Sequence, residues 1–214
     1  MSQPLDALIM TLGFEPGPLV RAVASYNLRP GAFILVFTPS FKDERAEKAY
    51  LELKKICDMV FKGFQVELRK VEVDLTDFVK AVRQVKEILS GLTDKQVALC
   101  FTGGMRALCF AVYTAYLMLR WKQHPTVEAY LEGRVERLTI PPLSRIVRVD
   151  VTEEKLAVLR LIHQHERLSA NNIAVLMRKN RSTIYRHLAS LAEDGLARQR
   201  GRMYELTDLG LMLM

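Results

Sequence analysis

The chain has 214 residues, 50% of them hydrophobic and 26% charged, which fits one large or two small globular domains and excludes a disordered or fibrous chain. Its net charge is +7, and its cysteines (Cys57, Cys100, Cys109) lie in apolar segments without a CxxC or Cys/His cluster, against structural zinc and a disulfide framework. The N-terminus lacks signal-peptide order, and the longest uncharged run, Ala107 to Leu119, is shorter than the roughly 20 residues that cross a bilayer, so a reducing cytoplasm is expected.

Leu5 to Leu12 is a short apolar run that ends at GFEPGP, where glycine and proline force a loop. Pro18 to Tyr26 starts a helix with proline in its first turn. AFILVF (Ala32 to Phe37) predicts a buried strand, followed by the loop TPS. Lys42 to Phe61 has helical spacing, with Leu51, Ile56 and Val60 expected on the inward side. Phe64 to Val73 alternates as a half-covered strand does, and Phe78 to Leu89 predicts an amphipathic helix. QVALCF is a further buried strand, and a very apolar helix follows it. Apolar strands separated by helices predict an α/β fold: a Rossmann-like, mostly parallel sheet over residues 1–139. TVEAYLE and RVERLTI, turning at Glu132-Gly133, add an antiparallel edge hairpin. Each cysteine is expected as a small buried hydrophobe.

Within this domain VALCFTGGMRALCFAVYTAYLMLR carries Arg106 as the sole charge between Lys95 and Arg120. Its glycines stand at the carboxyl end of a buried strand, where ligands of open α/β sheets bind. Glycine lets a ligand approach the backbone, and the helix N-terminus offers free N–H groups and a positive dipole end. A cation at that end is unfavourable, so an anion is expected to compensate Arg106. The loops GFEPGP and TPS emerge on the same sheet edge, giving a polar-lined crevice. No GxGxxG follows the first strand and no GxxxxGKS/T occurs, which argues against NAD, FAD and NTP chemistry.

IPPLSRIV breaks the pattern at Pro141-Pro142, so residues 140–150 read as a linker and 151–214 as a second domain. Thr152 caps a helix with Leu156, Leu159 and Ile162 inward, and a second short helix starts at Ser169 or soon after. The third has Asn180 as N-cap, Gly195 as its stop, and Ile184, Leu188 and Leu191 as its buried stripe. From Arg167 to Arg202 eight Lys/Arg residues stand against Glu193 and Asp194, a local balance of +6 that points to a polyanionic partner. The residues expected to meet double-stranded DNA are Arg178, Lys179, Arg181, Ser182, Thr183, Tyr185 and Arg186 around the third helix, and Arg198, Arg200 and Arg202 on a basic two-stranded wing. Such a helix sets side chains against major-groove edges, while wing arginines straddle backbone or minor groove.

STIYRHLASLAEDGL followed by LTDLG resembles the winged helix-turn-helix of small prokaryotic regulators. Together with LGF after the first strand and Thr102-Gly103-Gly104-Met105-Arg106 after the fourth, the whole chain resembles the CARF winged-helix transcription regulators of archaeal CRISPR–Cas loci, associated with type I-A antiviral defence. The resemblance implies a homodimer whose CARF domains share one pocket across the two-fold axis. It implies a cyclic oligoadenylate effector, cyclic tetra-adenylate first among them, with no cofactor or metal. Gly13, Phe14, Glu15, Thr38, Pro39, Ser40, Thr102, Gly103, Gly104, Met105 and Arg106 would then line the pocket, Glu15 bringing a negative charge near phosphate or holding Arg106 or the loop. The apolar helix from Ala107 to Leu119 is a candidate interface as well as core, and paired winged helices would read an inverted repeat. Two other readings stay open: a metal-independent phosphodiesterase that degrades the cyclic oligoadenylate, and a winged-helix regulator of another phosphorylated metabolite. No residue is read as catalytic, since His124 lies beyond the apolar helix and His163, His165 and His187 belong to the second domain.

Overall fold

Strands and helices alternate through the first part of the computed structural model: β1 (Leu5–Thr11), α1 (Pro16–Ser25), β2 (Leu28–Pro39), α2 (Glu44–Val60), β3 (Glu67–Val73), α3 (Phe78–Ser90), β4 (Val97–Phe101), α4 (Arg106–Met118), β5 (Thr126–Tyr130) and β6 (Arg137–Ile140). The structure describes residues 3–41, 43–131, 136–149 and 151–214; the turn expected at Glu132-Gly133 lies outside them. The sheet runs β3-β2-β1-β4-β5-β6, parallel throughout except for the antiparallel β5–β6 edge. This is the Rossmann-like α/β architecture expected. Contacts divide the chain into two units, Met1–Ile140 and Pro141–Met214.

Alternation along the central strands sends side chains to two separate cores. Ala7, Ile9, Leu35 and Leu99 pack with Val85 and Leu89 of α3 and Val112 and Tyr116 of α4. Leu8, Met10, Ile34, Val36 and Ala98 pack on the other face with Leu19 and Ala22 of α1 and Ala49 and Leu53 of α2. Each such aliphatic side chain contributes about 1.5–3 kcal/mol when fully buried. A sheet covered on both faces therefore presents its loops, rather than its strands, to a ligand.

α2 turns a different face inward from the one its large apolar residues predict. Ala46, Ala49, Leu53 and Cys57 are buried, whereas Leu51 and Val60 are half exposed. The two alanines let the helix lie close to its neighbours, and close approach outweighs the size of any one side chain. Asp43 starts this helix by accepting from the backbone N–H groups of Arg45 and Ala46 at 2.9 and 3.3 Å.

The second unit comprises a 3-10 turn (Ile146–Arg148), α5 (Glu153–Gln164), β7 (Leu168–Ser169), α6 (Ala170–Met177), α7 (Arg181–Glu193), β8 (Ala197–Arg200), β9 (Met203–Leu206) and α8 (Asp208–Leu211). Its small sheet is ordered β7-β9-β8. Leu159, Ile162, Ile173, Ile184, Leu188 and Leu191 form the core, with Val158 buried where Leu156 is half-buried. Leu143, Ile146 and Val149 pack against the same core, so the stretch after Pro141-Pro142 is part of this unit's packing. The hydroxyls of Thr152 and Ser169 cap α5 and α6, accepting from Lys155 N at 3.4 Å and Asn172 N at 3.2 Å. No helix among the described residues is long and apolar enough to cross a membrane.

Candidate functional site

From β1 the chain builds outward through β2 and β3, and from β4 it builds the opposite way through β5. The loops leaving the carboxyl ends of β1 and β4 part at that reversal, and a crevice opens between them. The two loops are stitched at their base. Thr11 Oγ1 donates to the Gly103 carbonyl at 2.7 Å, and Thr102 Oγ1 donates to the Thr11 carbonyl at 2.8 Å. Both threonines are buried. Gly103 and Gly104 take φ of +148° and +101°, a region open to glycine and costly for other residues. A Cβ on Gly104 would overlap the Leu12 carbonyl, and one on Gly13 would sit 3.2 Å from Gly104 N. These glycines thus serve backbone-to-backbone packing of two loops as well as ligand approach.

Above the seam lies a crevice of about 710 Å³ lined by Gly13, Phe14, Glu15, Thr102, Gly103, Gly104 and Arg106, together with Arg21, Cys109, Phe110 and Tyr130. Arg106 opens α4, whose first turn holds no carboxylate and whose N-cap, Met105, makes no side-chain bond. Among the described residues no ion pair engages Arg106, Arg21 or Glu15. Arg21 was not legible from local sequence; the fold brings it to the crevice, its guanidinium carbon 5.9 Å from the Tyr130 ring centre. Cys109 is only half-buried, unlike Cys57 and Cys100. Its sulfur lies 3.7 Å from Thr11 Oγ1, and burial pushes its thiol pKa up, which keeps it protonated.

Thr38, Pro39, Ser40 and Met105 line a neighbouring crevice of about 420 Å³, and Phe14 lines both. Asp43, Glu44, Glu47, Glu72 and Lys70 line this second space, where Lys70 meets Glu47 and Glu72, and Arg45, paired with Asp43, lies over the Phe14 ring. The residues expected to line one pocket are thus spread over two adjoining crevices that share Phe14, with Arg21 and Arg106 in the larger.

In the second unit α7 buries Ile184, Leu188 and Leu191 and exposes Arg181, Ser182, Tyr185 and Arg186, with Thr183 half-exposed. Asn180 stands at its N-cap without a side-chain bond. Arg178 occupies the turn before it at φ 52°, a left-handed conformation unusual for arginine. Lys179 is held by Glu154 at 2.6 Å, and the same carboxylate meets His187 Nε2 at 3.1 Å. On β8 Arg198 and Arg200 both reach Glu205, while Arg202 follows Gly201 at the exposed wing turn. An exposed polar helix face beside a basic hairpin is the arrangement that fits a major groove and its flanking backbone. Among the described residues no group of three or more His, Cys, Asp and Glu could hold a metal ion.

A family model described as the Csa3 CRISPR-associated Rossmann-like domain matches residues 6–141, and the IclR helix-turn-helix domain matches residues 155–201. The CRISPR locus-related protein Csa3 of Saccharolobus solfataricus, by its name a candidate DNA-binding protein, is 26% identical over 217 residues, covering 97% of this chain and 86% of that one. Among solved structures, Can2 from Sulfobacillus thermosulfidooxidans in complex with cyclic tetra-adenylate is similar at 13% identity and a TM-score of 0.40 over 96% of this chain. A type III CRISPR defence DNA nuclease activated by cyclic oligoadenylate is similar at 14% identity and a TM-score of 0.43 over 97% of this chain. This chain spans 60% and 38% of the lengths of those two solved chains.

Proposed function

The chain belongs to the Csa3 family of CRISPR-associated proteins with a Rossmann-like domain, and from that membership we propose a ligand-responsive, DNA-binding transcription regulator of CRISPR–Cas genes. Its effector in this reading is a cyclic oligoadenylate, cyclic tetra-adenylate first among the ring sizes, held at the two-fold axis of a homodimer. The observation that carries the ligand reading is the pair Arg21 and Arg106, two cations without carboxylate partners among the described residues, at the mouth of a glycine-built crevice. Phosphodiester oxygens meet guanidinium forks and helix N-terminal N–H groups well, and both are present at the start of α4. Phe14, Phe110 and Tyr130 add flat apolar surface against which a base can stack. A symmetric ring offers identical halves to identical subunits, so one ligand per dimer is the expected stoichiometry.

The second unit supplies the output. The exposed face of α7, the basic wing and the helix-turn-helix family match support double-stranded DNA as the partner, and the two readers of the proposed dimer would meet an inverted repeat. We read the crevice as a binding site rather than a catalytic one: its titratable lining is Glu15, Arg21, Arg106, Cys109 and Tyr130, and the thiol is kept protonated by burial.

Calorimetry with cyclic oligoadenylates of different ring sizes tests the reading, with the ligand recovered afterwards by chromatography. Cyclic tetra-adenylate is expected to bind one per dimer and to come back intact. Arg106→Ala should weaken it at least about tenfold, or about 1.4 kcal/mol. No binding of any ring by folded protein would remove the ligand assignment. A linear product that disappears in Arg106→Ala would make the protein a phosphodiesterase instead.

A further inference from the structure

Glu205 stands on β9, the central strand of the second unit's sheet, with its side chain only 9% exposed. Strand register sets an arginine on each flank of it. Arg198 of β8 is its direct cross-strand partner. On the other side the pairing of Leu168 with Tyr204 carries Arg167, the residue before β7, across from Glu205. Arg200, two residues along β8 on the same face as Arg198, closes in diagonally. Arg167 Nε lies 2.9 Å from Oε2, and the Nε atoms of Arg198 and Arg200 lie 2.6 and 2.9 Å from Oε1.

The three arginine side chains remain more than half exposed, at 57%, 56% and 58%. Each makes its closest approach through Nε, and among the described residues no hydrogen bond takes up their terminal amino groups. Three cations drawn to one carboxylate leave a compact, net-positive cluster whose side chains stay more than half exposed. The Arg198 hydrogen bond and the nearby charges of Arg200 and Arg167 hold the Glu205 carboxyl below its usual range, so it stays ionised. Without that carboxylate the three guanidiniums would repel one another and sample many rotamers.

Resting on the DNA-binding reading, we infer that Glu205 is a positioning residue that gathers Arg167, Arg198 and Arg200 into one preformed clamp for backbone phosphates of duplex DNA. The fork geometry of arginine suits phosphate oxygens, and side chains already held in place lose less freedom on binding. The buried negative charge lowers the cluster's bulk attraction for DNA and in return fixes where the phosphates must lie. Arg167 thereby joins the DNA face, although it precedes the wing hairpin by some thirty residues in sequence.

The test titrates full-length protein over a salt series against two probes: a duplex selected by the wild type from a random-sequence library, and a scrambled duplex of equal length and composition. Glu205→Gln, which keeps the shape and removes the charge, should weaken the selected duplex about tenfold and leave the scrambled one unchanged or tighter. Arg167→Ala should reduce the slope of log K against log salt by about 0.9 in the wild type and by much less in the Glu205→Gln background. Glu205→Asp should recover part of the discrimination. If thermal denaturation shows Glu205→Gln unfolded, Arg167→Ala decides alone, because it leaves the β8–β9 hairpin intact; unchanged affinity and slope there overturn the clamp. Wild-type discrimination in folded Glu205→Gln, or equal tightening on both probes, overturns it while DNA binding stands. A wild type that binds neither duplex removes the DNA-binding reading and the clamp with it.

Discussion

Gly104 and Arg106 are separated by one residue and answer to different forces. Gly104 is required by geometry: its φ of +101° and its contact with the Leu12 carbonyl leave no room for a side chain. Gly104→Ala should therefore destabilise the first unit by about 3 kcal/mol through backbone strain and the overlap. Thermal unfolding would register that as a Tm lower by about 10 °C. Arg106 is exposed and makes no ion pair among the described residues, so Arg106→Ala should leave Tm nearly unchanged while losing ligand. The glycine pair was legible because a turn that needs positive φ at a strand end leaves its mark in the local sequence. Arg21 left no mark, since it does not differ locally from a solvated surface arginine; Arg167 counted toward the basic window, but only strand pairing sets it across from Glu205.

α4 shows how far one element's composition can be read. It buries Leu108, Ala111, Val112, Ala115 and Tyr116 against the sheet, yet Phe110 and Met118 stand 64% and 49% exposed. These two lie two helical turns apart on the outward side, a placement that apolar content alone could not distinguish from core. In the proposed dimer this face is covered. Phe110→Asp should convert a dimer to a monomer in sedimentation equilibrium, with secondary structure preserved, since the side chain contributes nothing to the monomer's core. A dimer that survives the substitution would place the interface elsewhere. α2 teaches the converse: its large apolar residues marked the wrong face, because the alanines that permit close packing carry little hydrophobic signal.

At the scale of the molecule, a sensor unit and a reader unit make a regulator only if their ligands are coupled. Coupling is reciprocal: the factor by which cyclic tetra-adenylate changes DNA affinity must equal the factor by which DNA changes cyclic tetra-adenylate affinity. Measuring both should give one factor between about 5 and 150, and Arg106→Ala should abolish it from either direction. Identical DNA affinity with and without bound ligand would leave a DNA-binding protein that is not ligand-responsive.

The sequence by itself determined the two-part organisation of strand–helix alternation followed by three helices and a wing, the parallel sheet, and the loop that carries Arg106. Periodicity, turn chemistry and strand composition are local properties, and they survive being read one segment at a time. The tertiary structure alone decided what those segments share. It spread the expected pocket residues over two adjoining crevices that share Phe14, brought Arg21 beside Arg106, and assembled three arginines on Glu205. Charge balance within a site depends on distances between residues far apart in the chain, and those distances are set by strand order and register.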